Sequence, residues 1–245
     1  MCGRFASSLP PEAIRALFRT TGVPPNLGPS WNVAPSQDAM VVRRHPETGE
    51  RRLDALQWGL APPFTTDVRT APKPINARSE TAATSGMFRP ALAKRRAIVP
   101  ADAYFEWRAT QTGKQPYAIA RADGAPVVFA GLWESWRAQE GETVRTFAIL
   151  TTNSNRPMAA LHPRMPVVLE EADWPVWLGE VDGDAMALLR PAAEDVLRLW
   201  PVSRAVNNVR NNGRELLERT NNPAAPSPSN VVAGQKSGLG FRLRR

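Results

Sequence analysis

The chain has 245 residues, 42% of them apolar with eight Trp and eight Phe, which suits one large domain or two small ones whose core needs no covalent staples. Its single cysteine excludes an internal disulfide and a multi-cysteine zinc site, and with only His45 and His162 a metal centre would lean on carboxylates. The net charge is +8, but Lys236, Arg242, Arg244 and Arg245 fall in an acid-free 221–245, so 1–220 holds 27 basic against 23 acidic residues and any polyanion site there is a local patch.

The opening "MCGRF" lacks the basic-then-apolar pattern of a secretory signal, and no stretch approaches the roughly 20 apolar residues of a membrane span. A cytoplasmic, reducing location is therefore expected, where a thiol stays free. "SSLPPEAIRALFRTTG" reads as a helix with Pro11 and Glu12 in its first turn, Ile14, Leu17 and Phe18 on one face and a stop at Gly22. A Pro-rich loop follows, and "AMVVRR" and "RRLDALQW" flank "HPETGE" as a hairpin. "RRAIVPADAYFEWRA", "QPYAIARADGAPVVFAGLWES" and "TVRTFAILTT" read as several short strands broken by "TQTGK", "ADG" and "QEGE". "RMPVVLEEADWPVWLG" reads as strand then helix, "DAMALLRPAAEDVLRLWPV" as helix, break and strand, and "GRELLERT" as a short amphipathic helix.

Strict βαβ alternation is absent, so the pattern is that of an α+β domain over 1–220 with a mainly antiparallel sheet and flanking helices. The segment 221–245 has too few large apolar residues to pack and reads as a disordered, solvated tail, or as a basic arm adding sequence-independent affinity for phosphates.

Cys2 stands directly behind the initiator methionine, which is removed when the next residue is small. Loss of Met1 would put an α-amine and a thiol on adjacent carbons. Such an aminothiol attacks an aldehyde through its nitrogen, and the thiol then closes a five-membered ring on the imine carbon. That closure is intramolecular, so its effective concentration is high. Amine and thiol both titrate near or above pH 8, so the site needs a proton acceptor nearby. A terminal cysteine also suits amidohydrolases that use the thiolate against an amide with the α-amine as base. The opening stretch does not separate the two chemistries.

Four further stretches accompany it: "WNVAPSQ" (31–37), "INARSETAATSGMFRP" (75–90), "ADAYFEWR" (101–108) and "LHPRMPVVL" (161–169). With "MCGRF" and "PVSRAVNNVRNNGREL" (201–216), in this order, the chain resembles the SRAP family of abasic-site processing proteins from Met1 to about Leu217. The resemblance implies a single domain with a barrel-like β core, single-stranded DNA containing an abasic site as partner, and a stable thiazolidine crosslink between Cys2 and the aldehyde of the opened sugar. It implies no cofactor, and a monomer is the simplest assumption. AP lyase and self-processing peptidase activities are accessory expectations, with a glutamine amidotransferase-like hydrolase or a non-catalytic DNA-binding module as alternatives.

Glu106 sits among aromatics in a strand, where a carboxylate can be held protonated and shuttle protons. The resemblance assigns it that role in ring opening and at the amine. The bland alternative is a solvent-facing residue, and Tyr104, Phe105 and Trp107 do not settle its face. His162 has a side chain suited to proton transfer at the imine, the role the resemblance implies, whereas His45 reads as a solvated turn residue. Asn76 offers a donor and an acceptor for the sugar oxygens, or a helix cap, a task Ser79 suits as well. Arg78 would share the face of Asn76 if the segment is extended. Motif position makes Arg78, Arg164 and Arg4 candidates for phosphates. Trp107 is a candidate for stacking on a base, Pro35 and Met87 for wedging beside the lesion, and Asn32 for bracing the pocket. "LAPPFTTDVRTAPKP" departs from the family pattern: where many bacterial members carry paired tryptophans, Phe64 is the only aromatic.

Overall fold

The computed structural model describes residues 2–220 except 63, 112, 138–140 and 142. The expected tail, the fate of Met1 and most of the "QEGE" turn lie outside the described residues.

After β1 (Phe5–Ser7) comes α1 (Pro11–Phe18), with Pro11 in its first turn as expected. The helix stops earlier than Gly22, because Arg19 takes a left-handed conformation (φ 53°) and its N–H closes onto the last turn. β2 (Ser30–Val33) precedes the expected hairpin, β3 (Asp38–Arg44) and β4 (Arg51–Trp58), paired antiparallel from Asp38↔Gln57 to Arg44↔Arg51. A short β5 (Asn76–Arg78) leads into α2 (Ser79–Ala82) and α3 (Arg89–Lys94).

Next run β6 (Arg96–Ala101), β7 (Ala103–Thr110), β8 (Gly113–Arg121), β9 (Val127–Arg137) and β10 (Thr143–Asn153). The one-turn helix α4 (Arg156–Ala159), β11 (Arg164–Pro166), α5 (Trp174–Leu178) and β12 (Leu197–Pro201) complete the order. The helix expected over "DAMALLR" is absent. Asp184 caps the amides of Met186 and Ala187, but with Pro191 close behind only a turn forms, and Leu188 and Leu189 still pack inward. "GRELLERT" forms a single 3-10 turn at Arg214–Leu217 that buries Leu216.

Strands β3, β4, β10, β9 and β6 pair in a closed ring, antiparallel except where β4 meets β10. A second, antiparallel sheet runs β12-β8-β7-β1-β2. The period of two along a strand sorts the ring's side chains into two apolar groups. Met40, Val42, Leu53, Ile98 and Leu150 pack with residues of α1, α3 and α5, while Val41, Leu56, Trp58, Phe129 and Phe147 pack with Phe5, Tyr104 and Ile119 of the second sheet. The sheet's other face carries Ala6, Phe105 and Ala118 under Val202, Val206 and Leu216. The expectation of one α+β domain with a barrel-like, mainly antiparallel core therefore holds. No helix among the described residues is long and apolar enough to cross a membrane.

Candidate active site

The start of the chain enters the seam between ring and second sheet beside β7, just before β1 takes its place between β7 and β2. Phe5 pairs with Tyr104 and Ala6 with Ala103, antiparallel, and Phe105 N–H donates to the Arg4 carbonyl at 2.9 Å. Continuing that register sets Gly3 opposite Glu106, one residue from Cys2. Cys2 is 0% exposed, packed in the apolar group that contains Phe5, Trp58, Tyr104 and Ile149.

The ring supplies the opposite wall. β5 runs parallel to the end of β10, with Ile149↔Asn76 and Thr151↔Arg78 in register. The Trp58 indole N–H holds this segment by donating to the Ile75 carbonyl at 2.9 Å. Asn76 then donates through Nδ2 to the Cys2 carbonyl at 2.8 Å, tying the terminus to the ring. Its Oδ1 is buried and has no hydrogen-bond partner among the described residues, so one acceptor faces the site unspent. The segment is extended, so Asn76 and Arg78 share a face with Ala77 buried on the other. Arg78 is exposed, and α2 begins at Ser79 without a side-chain cap.

Glu106 is 5% exposed and faces inward with Tyr104, whereas Phe105 and Trp107 belong to the outer face. Burial pushes its carboxyl above the ordinary carboxylate range, with the His162 imidazole among the influences pulling it back. Burial also drives the Cys2 thiol far up, and Glu106 adds to that. Tyr104 is raised by burial and then by Cys2 and Glu106. These mutual influences place Cys2, Tyr104, Glu106 and His162 in one electrostatic neighbourhood.

His162 lies between α4 and β11. Its main chain is fixed by Ser154, whose hydroxyl donates to the His162 carbonyl at 2.7 Å, and by its own N–H on Met158. Nδ1 is 3.0 Å from the Arg164 N–H, which donates to it in the neutral ring, and 3.1 Å from the Arg164 carbonyl, which accepts its proton in the charged ring. Both protonation states are thus accommodated at one nitrogen, leaving Nε2 for a reacting group. His45, far off in the hairpin turn, accepts from the Glu47 and Thr48 amides.

The arginines divide. Arg164 is committed to Glu80 through two contacts of 2.5 and 2.8 Å, with further bonds to Asn153 and the Thr151 carbonyl. This pairing holds the Glu80 carboxyl down at about 2. A phosphate at Arg164 would have to compete with Glu80. Arg4 is part-buried and donates to Asn32 Oδ1 at 2.7 Å and the Val206 carbonyl at 2.8 Å. Asn32 is buried and directs its amide at the carbonyls of Val206, Asn208 and Asn211, so it braces the loop after β12.

At the rim, Trp107 is partly buried and its indole N–H is held by Asn207 at 2.7 Å. Pro35 is exposed in the 34–37 turn, with Ser36 at φ 71°, the pattern of a type II turn. Met87 is half-buried against the helical side of the core, and Phe64 is 60% exposed. Tyr104, Trp58 and Asn207 escaped the sequence reading. Tyr104 stands two residues from Glu106 on the same strand, and Asn207 lies in "PVSRAVNNVRNNGREL", but nothing local marks Trp58.

Comparison with known proteins identifies the family. The family described as SOS response associated peptidase (SRAP) matches residues 1–209. The abasic site processing protein YoqW of Bacillus subtilis is 37% identical over 224 residues, covering 89% of this chain and 99% of the relative. The abasic site processing protein YedK of Escherichia coli is 35% identical over 227 residues, covering 89% and 99%. A crystal structure of a protein from Bacteroides thetaiotaomicron superposes with a TM-score of 0.80 at 23% identity, covering 89% of this chain and all of that one, which speaks to the fold alone. With a family model matching nearly the whole described chain and relatives at 35% and 37% identity along almost their full length, the chain belongs to the SRAP family.

Proposed function

We propose that this chain captures abasic sites in single-stranded DNA by forming a thiazolidine through the α-amine and thiol of Cys2 once Met1 is removed. The observation that carries the reading is the gathering of Cys2, Glu106, His162 and the unspent Asn76 Oδ1 in one buried seam. The relatives named above as abasic site processing proteins share nearly the whole chain, which supplies the substrate class.

The steps balance as follows. The Cys2 amine adds to the sugar aldehyde, and water leaves as the imine forms. The thiol adds to the imine carbon, its proton passes to nitrogen, and the ring closes. Glu106, its carboxyl raised by burial, gives a proton to the departing oxygen and takes one from the amine. His162 relays protons at Nε2, and Asn76 orients a sugar oxygen. Arg78 is an exposed cation two residues from Asn76 and available to a neighbouring phosphate, with Trp107 offering aromatic surface to a base.

Before the thiol closes, the imine acidifies the C2′ proton, and elimination of the 3′ phosphate gives AP lyase activity in competition with ring closure. Glu106 is also the base for hydrolysing the Met1–Cys2 bond in self-processing. Action as a monomer in the cytoplasm completes the proposal.

The test is a denaturing gel of purified protein with abasic and intact oligonucleotides, beside a glutaminase control. Heat-stable adducts confined to the abasic strand are expected. Ammonia release from glutamine, or binding indifferent to the lesion, would reject the reading. Intact-mass measurement of Glu106→Gln addresses self-processing, with retained Met1 the expected result.

A further inference from the structure

At the hairpin end of β3, the strand's length away from the 34–37 turn, a cavity of about 520 Å³ lies between the β3–β4 turn and the ends of α3 and α5. Arg44, His45, Lys94 and Arg96 line it, with Glu47 as the acid among them. The two arginines are held by main-chain acceptors: Arg44 donates to the carbonyls of Gly49 and Gly179, and Arg96 to those of Leu92 and Trp177. Their guanidinium groups converge. A Cβ built on Gly179 would stand 3.0 Å from Arg96 Nη2 and 4.0 Å from Arg44 Nη1.

Two cations brought this close repel unless an anion lies near them. Among the described residues, none of Arg44, Lys94 and Arg96 has a carboxylate partner. Glu47 forms no ion pair with them, and Glu180, the neighbour of Gly179, is committed to Arg51 at 2.6 and 2.7 Å. His45 adds a donor. Its Nδ1 accepts the amides of Glu47 and Thr48, so the neutral ring carries its proton on Nε2.

We propose that this basin is a second anion site, built to take a phosphate group. Planar guanidinium forks match phosphate oxygens, and main-chain acceptors orient them in advance. The volume lies within the range of small-ligand pockets and exceeds the needs of a lone monatomic anion. The chemistry is common to a free phosphorylated small molecule and to a phosphodiester of a nucleic acid strand. None of the residues involved belongs to the Cys2 seam, so the site stands or falls apart from the crosslinking reaction.

The experiment titrates the full chain with pyrophosphate by calorimetry, and separately with an intact single-stranded oligonucleotide. Lys94→Glu is the diagnostic variant, because Lys94 is exposed at the end of α3 and makes no main-chain cap. It is expected to weaken pyrophosphate binding about tenfold or more, as loss and reversal of one charge among three requires, while abasic-site crosslinking is unchanged. Lys94→Gln should fall in between, which guards against a folding defect. An accompanying loss of oligonucleotide affinity would identify a strand phosphate as the ligand, and pyrophosphate loss alone a free one. No pyrophosphate binding by the wild type, or equal binding by both variants, would overturn the proposal.

Discussion

Glu106 is buried in the seam and Glu80 is exposed beside Arg164, and their carboxyls are displaced in opposite directions. Glu106 is buried, which disfavours its charged form and raises its carboxyl, although the His162 imidazole pulls the other way. Glu80 is partly exposed and clasped by Arg164, so it stays ionised to about 2. The same side chain is thus raised in one place, where we propose a proton carrier, and is a fixed counter-charge in the other. Burial dominates at the one, and pairing with Arg164 dominates at the other.

Replacing the interior nucleophile should break this contrast most severely. Cys2→Ala removes the second ring-closing atom, so heat-stable adducts should disappear on a denaturing gel while some strand cleavage through the α-amine remains. Retained heat-stable adducts would end the proposed chemistry. In protein from which an added aminopeptidase has removed Met1, Glu106→Gln keeps the shape and deletes the proton carrier, and crosslinking should slow by about 10²-fold in single-turnover kinetics.

The same variant should be more stable than the wild type at neutral pH. A carboxyl raised on folding costs nothing below its unfolded value, and destabilises progressively as pH rises through that value towards the folded one. Thermal melts from pH 4 to 7 should therefore diverge with rising pH, and a gap that stayed constant would show that Glu106 ionises freely.

Asn76→Ala should have a smaller effect, about fivefold on crosslinking, since one net hydrogen bond of about 1 kcal/mol holds the Cys2 carbonyl. The smallest effect belongs to the exposed carboxylate. The sign is opposite for Glu80: its carboxyl is depressed on folding, so its contribution is complete above about 4.5 and fades as pH falls towards about 2. Glu80→Gln should lower the melting temperature slightly at pH 7 and converge on the wild type in acid. Its crosslinking should respond to salt differently, because Arg164 is released to meet phosphate.

Much of this was legible in one dimension. The hairpin, the strand-rich centre and the α+β class follow from alternation and turn residues, while a lone cysteine behind methionine is what suggests the proposed aminothiol. The helix expected at "DAMALLR" failed because apolar spacing alone does not lengthen a segment so close to a proline. Arg164 could be proposed for phosphate because its partner, Glu80, lies 84 positions away in sequence. Arg4 and Asn32 likewise meet a loop near residue 206 that nothing in their own neighbourhood announces.

By itself, then, the sequence determined which atoms are available to react and which strands and turns can form, since both depend on covalent identity and local periodicity. Only the tertiary structure decided which way Glu106 faces. β7 lies between two apolar layers, so Tyr104 and Phe105 are buried on opposite sides and the pattern has no polar face to orient it. Desolvation, and with it the chemistry of that carboxyl, is a property of what packs around a residue.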